Sequence, residues 1–121
     1  CYIDSRIIES IWRDTMELEQ YLSRLRAWAE QEKKLAEAAE DDREMSIHKM
    51  LASMYGPMLS TLGKVEIAGK NPGALAEVAG NIAKNAENLR AHKDFDAADR
   101  EDIKLDAVRR VMRLIAGEED V

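Results

Sequence analysis

The chain has 121 residues, of which 35% are charged and 45% hydrophobic, with a net charge of −6. It is too apolar for a disordered chain and too charged for a membrane span, and its acidity disfavours non-specific nucleic-acid binding, which phosphate neutralisation drives. Aromatic residues make up 5%, with 2 Pro and 6 Gly, while Ala, Glu, Leu, Lys and Arg abound; the composition therefore predicts an all-α protein.

The first predicted helix covers residues 1–40. Ile8, Ile11, Thr15, Leu18, Leu22, Leu25, Ala29, Glu32, Ala36 and Ala39 follow one another in steps of three and four, which is a heptad seam. Asp4 or Ser5 can cap its start by accepting from the free amides of the first turn. The seam passes from Ile and Leu to Ala and one Glu, and Trp12, Tyr21 and Trp28 lie beside it. The seam from Ile8 to Ala39 alone spans about 50 Å, more than a compact domain of this size needs. Ile11, Leu18, Leu22, Leu25 and Ala29 are therefore expected to form a self-association seam between chains.

The run AEDDRE marks a turn, with Asp41 or Asp42 as the cap of a second helix over residues 43–67. Its apolar face holds Ile47, Leu51, Met54, Met58, Leu62 and Val65, and its phase survives Gly56-Pro57, so one kinked helix is predicted rather than two. AGKNPGA is a loop by its Asn-Pro-Gly turn chemistry. A third helix over residues 74–92 follows with Leu75, Ala79, Ile82, Ala86 and Leu89. HKDFDAADRED reads as a connector offering Asp94, Asp96 and Asp99 as caps. The last helix, over residues 99–116, ends at Gly117 before an acidic tail. The expectation is one helical domain over residues 1–121, an antiparallel hairpin or bundle of about four helices.

Chemistry-bearing constellations are sparse. Glu44 and His48 stand four apart near Asp41, but di-iron bundles use paired Glu-x-x-His motifs, and no second copy exists here. His92 with Asp94 and Asp96 fits a helix end followed by caps. Neither Cys1 nor the two histidines form a triad signature, and GKNPGA lacks the residues of a phosphate loop. No catalytic, cofactor-binding or metal residue is assigned. Met50, Met54 and Met58 recur every four residues, either as core or as an adaptable face for a protein partner. Asn81, Asn85 and Asn88 form a polar stripe that is either solvated or bonded to a partner helix. Arg109, Arg110 and Arg113 offset the dipole of the last helix, or contact nucleic acid or an acidic partner.

The single cysteine permits no disulfide within the chain, which fits a reducing, cytoplasmic setting. Cys1 stands where a start Met would, with apolar residues directly after it; this points to a piece of a longer chain, the alternative being a lipid anchor on Cys1. The longest uncharged run, MLASMYGPMLSTLG, is too short to span a bilayer.

YLSRLRAWAEQEKKLAEAAEDD, then a long second helix, then ALAEVAGNIAKNAENLRA, resembles the helical region of Mu-type phage small terminase subunits over residues 10–93. In that family a helix-turn-helix precedes a long helix, an AEAA-x-DD-like turn and two more helices. The full helix-turn-helix is missing here, and the last helix has no counterpart. The resemblance implies a ring-forming subunit that recognises viral DNA for packaging, its DNA-reading part lying mostly upstream of Cys1. The residues themselves predict a non-enzymatic oligomerisation or protein-interaction module, a homo-oligomer. A DNA-packaging subunit and a metal- or ligand-binding four-helix bundle are the alternatives.

Overall fold

The computed structural model describes the backbone of residues 5–71 and 73–117 and the side chains of residues 18–71 and 73–117. Helix α1 runs Ser5–Ala38 and α2 Asp42–Ser53; a π-helical turn, Met54–Met58, leads into α3, Leu59–Ile67; α4 is Ala74–Ala91 and α5 Phe95–Ile115. The π turn joins α2 to α3 without a break, so four antiparallel rods form an all-α bundle, with no strand among the described residues. The side chains of Ile8, Ile11 and Thr15 lie outside the described residues, as do Cys1 and Pro72.

The local chemistry sets the boundaries. The Asp41 carboxylate accepts from the Glu44 amide at 2.7 Å, and Asp42 and Glu44 sit in the positive first turn of α2. At Pro57 the predicted kink takes the form of a wider turn. The Leu59 amide donates to the carbonyl of Met54, five residues back, and the rod continues past a residue with no amide to give. α3 closes at Gly69, whose φ of 74° suits a residue without a side chain. α4 closes in the same way on Lys93, at φ 62°. α5 starts at Phe95, four residues before the predicted start: Asp94 caps it by accepting from Ala97, so most of the expected connector is helix.

The core joins all the rods. Leu25, Leu59, Leu75, Val108 and Val111 are fully buried, with Tyr21, Trp28, Ala29, Met54, Tyr55 and Ala107 around them. This corrects one expectation. Leu25 and Ala29, predicted on a seam between chains, lie in the core of their own chain, with Leu22 packed against that core. A heptad repeat identifies a face to be covered and leaves the identity of the cover open.

Two cross-links fix the register of α1 against the α2–α3 rod. The Tyr21 hydroxyl donates to the Leu59 carbonyl at 2.5 Å, and His48 Nδ1 meets Glu32 Oε2 at 2.6 Å. Ile67, the last residue of α3, lines one hollow with Gln20, Tyr21 and Arg24 of α1 and with Leu114 and Ile115 of α5.

Candidate functional site

The two sides of the α2–α3 rod are packed differently. Toward α1 the approach is close. A methyl group added at Gly63 would overlap the Tyr21 phenol, and one at Gly56 would reach 4.0 Å from the Ala29 Cβ. Burial pushes the Tyr21 hydroxyl well above the ordinary phenol value, and the Glu66 carboxylate acts in the same direction; the hydroxyl is held neutral as a donor. Above this contact, Trp28 meets Tyr55 edge to face with centroids 5.4 Å apart, and the Arg110 guanidinium lies 3.7 Å over the Trp28 ring.

Toward α4 the rod is open. A groove of about 570 Å³ is lined by Met50, Ser53, Met54 and Met58 on one wall, Val78, Asn81 and Ile82 on the other, and Glu101 and Lys104 from α5. The wall residues arise from helical spacing. Met50, Met54 and Met58 recur along α2 and the π turn, while Val78 and Ile82 are one turn apart on α4. Burial is graded along the methionines: Met54 is in the core, Met50 half-buried and Met58 39% exposed. The predicted partner face is thus part core and part open surface. Lys104 and Glu101 pair at 2.9 Å, so the charges in the lining neutralise each other and the groove favours apolar contact. Its volume lies within the range of about 300–1,000 Å³ usual for occupied clefts.

The other sequence-derived candidates are distributed as follows. Leu18 is half-buried on α1. Arg109 and Arg113 are exposed, Arg113 beside a hollow it shares with Arg110, Leu51, Tyr55 and Asp106, while Arg110 is stacked on Trp28. The three arginines thus divide between a surface and a packed junction. Asn81, Asn85 and Asn88 are exposed, with Asn81 at the groove. His48 pairs with Glu32 rather than standing with Glu44, which is exposed. Among the described residues no group of three or more His, Cys, Asp or Glu side chains could hold a metal ion, and no helix is long and apolar enough to cross a membrane.

Sequence reasoning placed Ile82 on the apolar stripe of the third helix with Leu75 and Ala79, but missed Val78 and the groove wall that the two form. It also missed the Trp28–Arg110 stack and the Glu32–His48 pair, which join residues on different helices. Glu32, the one charged residue in an otherwise apolar seam, was the only local hint of its partner. Comparison with protein-family models, with curated proteins and with solved structures found no match for this chain.

Proposed function

We propose that the chain is a non-enzymatic helical oligomerisation module, in which the bundle holds α1 in place and the first turns of α1 associate with another copy. The observation that carries this reading is the heptad pattern of α1, which continues in the sequence from the buried Leu25 and Ala29 back through Leu18 to Ile11 and Ile8. An apolar stripe of this kind is stabilised by burial against a second molecule wherever its own chain does not cover it.

The test is the double variant Ile8→Glu with Ile11→Glu. It is expected to lower the native mass to that of one chain while leaving the melting temperature of the bundle unchanged. An unchanged native mass in a folded variant would remove this reading.

The small-terminase-like alternative has a separate signature. It predicts a large closed ring and salt-sensitive DNA binding that is lost on neutralising Arg109, Arg110 and Arg113.

A further inference from the structure

We infer that Met58 is a modification site: a hydroperoxide oxidises it to the sulfoxide in the folded chain, and this turns the wall of the methionine groove from apolar to polar while the bundle stays intact. The inference is independent of the self-association reading above.

Access singles out this residue. Of the 6 methionines, all but Met16 have described side chains. Met54 is 5% exposed and belongs to the core, Met45, Met50 and Met112 are half-buried, and Met58 alone among them is exposed, at 39%. Thioether oxidation follows exposure, because the oxidant reaches the sulfur from solvent. Met50, Met54 and Met58 thus line one groove and differ in how far a reagent can reach them.

The π turn separates the site from the core. Pro57 and Met58 are exposed, whereas Tyr55 and Leu59 on either side of them are buried. The change therefore falls on an outward position of a rod whose inward positions stay packed. The groove also suits the product. A sulfoxide oxygen accepts hydrogen bonds, and the Ser53 hydroxyl, the Asn81 amide and the Lys104 ammonium, all donors, line the same groove. At Met54 the same oxygen would be buried among the apolar side chains of the core, which is costly.

The step is a two-electron oxygen transfer. The sulfur lone pair attacks the terminal oxygen of the hydroperoxide, and the O–O bond breaks as the S–O bond forms. The departing oxygen takes up the hydroperoxide's proton and leaves as an alcohol, or as water when the oxidant is hydrogen peroxide. Sulfur is oxidised and the peroxide reduced by the same electron pair. A sulfoxide reductase supplied with a thiol reverses the step, and an exposed side chain is open to it.

The experiment adds hydrogen peroxide to the full, folded chain carrying methyl-labelled methionine. Methyl NMR signals, peptide masses and thermal melts are followed together. Among the methionines with described side chains, Met58 is expected to form the sulfoxide first, about tenfold or more faster than Met54. At that stage the Met50 and Met54 methyl signals are expected to shift while both remain thioethers, because they share the groove with Met58, and the chain is expected to melt as the parent does. Met58→Gln, which puts a polar amide in the same place, is expected to reproduce the shifts without peroxide. Met58→Leu is expected to abolish the early sulfoxide and the shifts together. A first sulfoxide at Met45, Met50, Met54 or Met112 overturns the assignment of the site. Unshifted Met50 and Met54 signals overturn the effect on the groove, and unfolding at the Met58 sulfoxide stage overturns the intact bundle. Should Met58→Gln fail to fold, the peroxide series on the unaltered chain decides by itself.

Discussion

The rod of α2, π turn and α3 packs closely on one side and is open on the other. Against α1 it presents Gly56 and Gly63, and into the space at Gly63 fits a tyrosine whose hydroxyl is bonded to the rod's own backbone. Toward α4 it presents three methionines and leaves about 570 Å³ unfilled. Both sides are apolar; they differ in the size and rigidity of the side chains. Glycine lets a neighbour approach to backbone contact and fixes one geometry. Methionine is long and adaptable, so its face can rest partly exposed and repack when covered. A closed interface holds the fold, and an open one of this kind is suited to a partner.

The largest expected effect lies on the closed side. Leu25→Ala removes a fully buried side chain and is expected to destabilise the bundle by about 4 kcal/mol, read from denaturant midpoints. Gly63→Ala follows, at about 3 kcal/mol, because the new methyl must displace the Tyr21 ring from its site. A Gly63→Ala chain as stable as the parent would show that the approach is looser than described.

Tyr21→Phe tests the hydroxyl alone, with an expected loss of about 1 kcal/mol from the bond to Leu59. It also has a pH signature. The folded phenol titrates above its ordinary value of 10.0, so its contribution is fully present below that pH and is lost as pH rises through the higher folded value. Stability of the parent should therefore fall more steeply above about pH 10 than that of Tyr21→Phe. Equal slopes would mean that the hydroxyl is solvated in the folded state.

The smallest effect belongs to the open side. Met58→Ala is expected to change the stability of the monomeric bundle by less than about 0.5 kcal/mol, since the side chain is already 39% exposed. A loss as large as that of Leu25→Ala would erase the contrast between the two sides.

The sequence made the helices legible and their partners much less so. The three-and-four spacing of Leu18, Leu22, Leu25 and Ala29 located the inner face of α1 correctly, yet the same spacing serves a coiled coil and a bundle. Tertiary contacts decided between them for Leu25 and Ala29, and those contacts come from residues far along the chain, such as Leu59 and Val108. The early start of α5 was hidden because Asp94, Asp96 and Asp99 are equally good caps as residue types. At the groove, the methionine wall was readable from its period. The opposite wall was not, because nothing local relates Val78 and Ile82 to Met54 and Met58.

The central claim, that the chain associates through the N-terminal turns of α1, is tested most directly by the native mass of the unaltered chain in solution. Light scattering coupled to gel filtration, at physiological salt and over a wide range of concentration, gives that mass. The account predicts a multiple of 13.7 kDa that rises with concentration toward a defined assembly. A constant 13.7 kDa at every concentration would contradict it.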